Sequence, residues 1–220
     1  VSEDTIRRDL RALNRTGAVL KVYGGAVRAG TADPPSSPPR RAAGGALVDV
    51  TLRLIGPSQS IYLDESDESV AVAGALSPDL DLTITTNSSR VLHVLPARTR
   101  EVIVLGGVFD FERSATFGSA PIGMVRNLRF DLLVVGDCVV DIKRGLAAAN
   151  LQMAELKSAA AERSNAIALL RTGTAFGAAP FAIAPIHKIK HIVSTHAPDE
   201  RMLGPLSDRG IGIETVYEGN

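Results

Sequence analysis

The chain has 220 residues, 45% of them hydrophobic and 22% charged, with 20 glycines, 12 prolines and one cysteine. These proportions suit a soluble globular protein and exclude a fibre, a disordered chain and a disulfide scaffold. The formal net charge is zero, no run of eighteen apolar residues offers a membrane span, and no basic segment leads into an apolar one as in a signal peptide, so the cytoplasm is the expected compartment.

Taken in chain order, Ser2 can N-cap a helix with Glu3 and Asp4 in its first turn, and Ile6, Leu10 and Leu13 then fall on one face of an amphipathic helix ending near Arg15. Thr16-Gly17 breaks it. Residues 18–22 and 26–27, with Gly24-Gly25 between them, read as a hairpin of two short strands. About 28 residues with three or four core side chains are too few for an independent domain. Because the chain begins with Val1, the natural protein is expected to start earlier, with one or two further helices. Residues 29–40 hold four prolines and no large apolar side chain, which predicts an extended linker between a head at 1–28 and a body at 41–220. The neutral total hides an asymmetry across this division. Residues 1–41 carry eight basic and four acidic groups, a net +4 that leaves −4 on the remainder.

In the body a covering helix over 41–55 precedes an alternation of strands and helices. Strands are predicted at 60–63, 82–85, 101–105, 130–135, 166–170, 191–194 and 212–216, and helices at 69–76, 88–95, 122–127, 151–163 and 199–206. This alternation predicts an α/β fold with a mainly parallel sheet flanked by helices, whose ligands bind at the carboxyl ends of the strands.

Two features bear on chemistry. The helix face opposite Ile6, Leu10 and Leu13 presents Thr5, Arg7, Arg8, Arg11 and Arg15, which reads either as a solvated basic face or as a recognition helix meeting DNA, with the glycine-tipped hairpin as a wing. The turn after the strand at 60–63 holds Asp64, Glu65, Asp67 and Glu68. Its spacing does not match a calcium loop, and a solvated N-terminal turn favoured by the helix dipole outweighs a metal site. Cys138 reads as a small buried side chain, and His93, His187, His191 and His196 form no metal-ligand pair. No metal or other cofactor is implied.

The run SEDTIRRDLRAL followed by GAVLKVYGGAV resembles the winged helix-turn-helix of the DeoR family of bacterial regulators of sugar catabolism. The resemblance implies a partial winged helix in which Thr5, Arg7, Arg8 and Arg11 meet DNA from the helix and Lys21, Tyr23, Gly24 and Gly25 from the wing. It extends through the body, whose family counterpart resembles ribose-5-phosphate isomerase and the coenzyme A transferases. TTNS at 85–88, LGG at 105–107, Gly118, FDLLVVG at 130–136 and Lys157 of an E-A-x-x-K helix match the family pattern. They imply an effector site drawn from Asp64, Ser66, Asp67, Ser69, Asn87, Ser88, Gly106, Gly107, Gly118, Asp141 and Lys157.

The departures fall in that site. The family's D-S-G-T-T turn is Asp64-Glu65-Ser66-Asp67-Glu68, and the glutamate of E-A-x-x-K is Met153. Gly136-Asp137-Cys138 replaces G-A-D, Arg171-Thr172-Gly173-Thr174-Ala175 replaces a D-x-x-K stretch, and Gly44 replaces a lysine. Crowded carboxylates predict weak binding of phosphorylated sugars, with a neutral, cationic or metal-bridged ligand preferred.

The expected function is a DNA-binding transcriptional repressor of sugar metabolism, homo-oligomeric and not an enzyme, whose partners are operator DNA and a sugar-like effector. The alternatives are an isomerase-like or acyl-transferase-like enzyme, and a regulator whose body only oligomerises.

Overall fold

The computed structural model describes residues 19–22, 25–28 and 45–217, so the predicted first helix with Thr5, Arg7, Arg8 and Arg11 lies outside the described residues, as do Tyr23, Gly24 and Gly44. The chain divides into two units, Val1–Pro39 and Arg40–Asn220. In the first, β1 (Val19–Val22) and β2 (Gly25–Arg28) form an antiparallel hairpin, with Val22 opposite Gly25 at its closed end.

The second unit runs α1 (Gly45–Leu52), β3 (Ser60–Leu63), α2 (Asp67–Ala75), β4 (Thr83–Thr86), α3 (Ser89–Val94), β5 (Glu101–Val104), β6 (Val108–Asp110), β7 (Ala115–Phe117), α4 (Ser119–Val125), β8 (Phe130–Val135), β9 (Val139–Asp141), β10 (Gly145–Ala148), α5 (Leu151–Glu162), β11 (Ser164–Arg171), β12 (Phe181–Ala184), β13 (Ile189–Ser194), α6 (Glu200–Ser207) and β14 (Gly212–Thr215). Seven of these strands form one parallel sheet in the order β14-β13-β11-β8-β3-β4-β5. It is an α/β fold with a mainly parallel sheet flanked by helices, and its strands lie close to the predicted ones. The small antiparallel sheet β12-β10-β9 and the β6-β7 hairpin are additions to that prediction.

Parallel strands covered on both faces need apolar residues in succession rather than in alternation with polar ones. Strand β8 shows why: Leu132 and Val134 face one core, with Leu47, Val72 and Val91 of α1, α2 and α3, while Leu133 and Val135 face the other, with Val125 of α4 and Leu156 of α5. Helix α5 carries Ala154, Ala159, Ala160 and Ala161 in that second core, and such small side chains let a helix lie close to its neighbours. Among the described residues no helix is long and apolar enough to cross a membrane.

The strand order fixes where a site can form. From β3 the chain builds outward through β4 to β5, then returns to β8 on the other side of β3 and builds the opposite way through β11, β13 and β14. The connections leaving β3 and β8 therefore diverge at their carboxyl ends, and this reversal leaves a crevice between them.

Candidate effector cleft

A cleft of about 460 Å³ opens at that reversal, walled by Glu65 and Asp67 after β3, Arg90 of α3, Glu112 and Arg113 of the β6-β7 turn, Asp137 after β8, Ala149, Asn150 and Met153 at the start of α5, and Arg171 at the end of β11. Its floor is a buried polar network.

Asp64 is fully buried where β3 ends. Its Oδ1 accepts hydrogen bonds from the Ser66 amide at 3.1 Å, the Ser69 hydroxyl at 2.6 Å and the Ser66 hydroxyl, and its Oδ2 accepts from the Gly136 amide at 2.9 Å. Ser66 also caps α2 by accepting from the Ser69 amide at 3.2 Å. The carboxylate thus joins the two diverging connections. A Cβ at Gly136 would lie 2.4 Å from Ser66 Oγ and 2.8 Å from Glu68 Oε2, so glycine is needed there for close approach.

Lys157 enters the floor from α5, with its side chain only 1% exposed. Its ammonium lies 2.8 Å from Asp64 Oδ2 and 3.2 Å from Glu65 Oε1 and donates to the Gly136 carbonyl at 3.0 Å. Burial alone would lower its pKa, but the negative charges beside it, Asp64 foremost, outweigh burial and hold it well above the ordinary lysine value. Glu65 is pushed up by burial and pulled back in part by Lys157. Its Oε2 accepts from Asn87 Nδ2 at 3.3 Å, and Asn87 Oδ1 accepts from the Tyr62 hydroxyl at 3.0 Å. The ammonium meets Oε1 at 3.2 Å out of good hydrogen-bond alignment, and no other donor reaches that oxygen.

The carboxylates that look crowded in sequence are therefore separated and individually compensated. Asp64 and Glu65 share Lys157, Glu68 accepts from the Thr172 amide at 2.8 Å, and Asp67 pairs with Arg90. Only Glu65 and Asp67 of the four face the cleft. Among the described residues no group of three or more His, Cys, Asp or Glu side chains converges on a point that could hold a metal; the space between Asp64 and Glu65 is taken by the ammonium.

The resemblance-derived residues divide accordingly. Asp67 lines the cleft, Asp64, Asn87 and Lys157 form its floor, and Ser66 and Ser69 hold Asp64. Ser88 spends its side chain capping α3 through the Val91 amide. Gly106, Gly107 and Gly118 flank the β6-β7 hairpin without lining the cleft. Asp141 lies in a different groove, where it accepts the Lys143 and Arg144 amides in the β9-β10 turn. Sequence reasoning missed Arg90, Arg113 and Arg171. Each is tied to a carboxylate: Arg90 to Asp67, Arg113 to Asp110 at 2.8 Å, and Arg171 to Asp137 at 2.9 Å. Those pairings span 3 to 34 positions, and no local motif marks the two longer ones.

Cys138 lies beneath the cleft, 3.8 Å from the Lys157 ammonium, and burial pushes its thiol up to about 12. A thiol with a folded value above its ordinary 9.0 keeps its proton in the fold and loses it on unfolding. Stability is thus full below about pH 9 and declines by about 1.4 kcal/mol for each pH unit crossed towards the folded value. Urea melts between pH 9 and 10 should show that decline in the wild type and lose it in Cys138→Ala; an equal slope in both would contradict the assignment.

Two family models match the chain: "DeoR C terminal sensor domain" over residues 46–196 and "DeoR-like helix-turn-helix domain" over residues 1–31. Curated relatives also match over most of their length. The HTH-type transcriptional regulator GlpR of Haloferax volcanii is 25% identical over 99% of this chain and 87% of its own. The HTH-type transcriptional repressor CsqR of Escherichia coli K12 is 26% identical over 97% and 84%, and the L-fucose operon activator of the same strain is 27% identical over 92% and 85%. Among solved structures, ribose 5-phosphate isomerase A of Methanocaldococcus jannaschii aligns with 60% of this chain and 52% of its own at 9% identity and a TM-score of 0.42.

Proposed function

As the chain belongs to the DeoR family of transcriptional regulators, we propose that it binds operator DNA through its head and that a small carbohydrate in the cleft at the sheet reversal changes the affinity for that DNA. The observation that carries this reading is the position of the cleft: every residue lining it lies within the sensor-domain match. The names of the relatives, among them an L-fucose operon activator, favour a sugar or sugar derivative as the effector and a cytoplasmic site of action. The effector acts by binding the DNA-competent and incompetent states unequally.

On this reading Thr5, Arg7, Arg8 and Arg11 contact the major groove and adjacent phosphates, and Lys21, Tyr23, Gly24 and Gly25 meet DNA from the wing. A homo-oligomer with two-fold symmetry matches two operator half-sites. A regulator is favoured over an isomerase because proton transfer needs a base within reach of the substrate. Lys157 is 1% exposed and held between two carboxylates, which leaves it no approach to a substrate carbon.

Binding of the full-length protein to duplex DNA should weaken steeply with salt, since guanidiniums at phosphates release counterions. Arg8→Ala should cost about 1–3 kcal/mol of specific affinity through the loss of a bidentate base contact. Fluorescence anisotropy with a duplex selected from a random library measures both. Unchanged affinity in the Arg7→Ala, Arg8→Ala double variant would rule out this helix as the reader of the groove.

A further inference from the structure

Two buried polar atoms among the residues lining the cleft lack hydrogen-bond partners: the acceptor Glu65 Oε1 and the donor Arg171 Nε. Glu65 is only 5% exposed. A buried acceptor without a donor is costly, and such a group in a native cleft signals a missing partner. The negative charge of Glu65 is already met by Lys157 at 3.2 Å, so what it lacks is a hydrogen rather than a counter-ion.

Building on the reading of the cleft as the effector site, we propose that Glu65 is its specificity-determining residue and selects an uncharged polyhydroxylated ligand, a free sugar or polyol, over its phosphate ester. A hydroxyl suits the two orphan atoms because it donates to Glu65 Oε1 and can accept from Arg171 Nε. A phosphate dianion suits neither Glu65 nor the rest of the wall. It offers no hydrogen to a carboxylate, and the lining sets four carboxylates (Glu65, Asp67, Glu112 and Asp137) against the three guanidiniums of Arg90, Arg113 and Arg171, so no positive charge is in surplus for it. The four lining carboxylates would face the dianion across the cleft, where like charges repel.

Thermal-shift measurements on the full chain with two pools, free pentoses, hexoses and their alditols in one and the matching monophosphates in the other, identify the ligand, and calorimetry then gives its affinity. A member of the free pool should bind the wild type at least ten-fold more tightly than its own phosphate. Glu65→Gln should weaken that binding at least ten-fold, and Arg171→Gln, which lies outside the Asp64–Glu65–Lys157 cluster, should weaken it at least three-fold if the first variant proves unstable. Glu65→Ser should narrow or reverse the preference between free sugar and phosphate. Tighter binding of a phosphate by the wild type, or free-sugar affinity within two-fold of wild type in folded Glu65→Gln, would overturn the role given to Glu65 while leaving the cleft as the effector site. Failure of both pools to bind would overturn the cleft reading itself, and this inference with it.

Discussion

Replacing Lys157 with methionine should lower the stability of the α/β unit by about 3–5 kcal/mol, the usual cost of breaking a fully buried ion pair from one side. Asp64 would be left without its ammonium in a fully buried position, and Glu65 without it in a nearly buried one. The hydrogen bonds that Asp64 receives from Ser66, Ser69 and Gly136 soften the loss without replacing the charge. Urea denaturation measures the difference, and neutralising the partners as well, in Lys157→Met, Asp64→Asn, Glu65→Gln, should recover a substantial part of it. A single variant within 1 kcal/mol of the wild type would show that the cluster is not a coupled unit.

A comparable effect is expected at the junction that Asp64 bridges. In Gly136→Ala the new methyl would lie 2.5 Å from Ser66 Cβ as well as 2.4 Å from its hydroxyl, so rotating Ser66 does not relieve the overlap and the turn itself has to move. Overpacking of this kind costs about 1–3 kcal/mol, and displacing Ser66 from the start of α2 forfeits a helix cap worth about 1 kcal/mol. The expected loss is about 2–4 kcal/mol, together with weaker ligand binding, since Glu65 and Asp67 flank the displaced serine. Melting and calorimetry of the same sample test both parts, and normal stability with normal binding would contradict the account of this turn.

Much of the scaffold is legible in the sequence because the parallel strands are short segments rich in β-branched and apolar residues, as in Ser60–Leu63 and Phe130–Val135, separated by helical periods. The region around Phe130–Val135 is recognisable as a doubly buried strand without knowledge of its neighbours. The antiparallel strands at Val139–Asp141, Gly145–Ala148 and Phe181–Ala184 are three or four residues long, and the last two are half alanine, a residue depleted in strands and absent from equally short parallel strands such as Ser60–Leu63. The site divides along the same line. Its location follows from the alternation of elements, and Asp64 and Lys157 from the family pattern. Its electrostatics does not follow, because charge compensation is non-local: Lys157 neutralises a turn more than ninety positions upstream, and Glu68 is satisfied by an amide 104 residues away. Four acids adjacent in sequence therefore suggest a repulsive cluster, whereas in the fold two face the cleft and the others are spent on structure.

The central claim is that occupancy of the cleft changes the affinity of the protein for DNA. Anisotropy titration of the selected duplex with and without saturating cleft ligand, for the wild type and for Glu65→Gln, tests it most directly. The account predicts that ligand shifts the wild-type DNA affinity by about 5–150-fold, the range of typical coupling free energies, and that the variant needs a correspondingly higher ligand concentration for the same shift. Identical DNA affinity with the cleft empty and filled would contradict it.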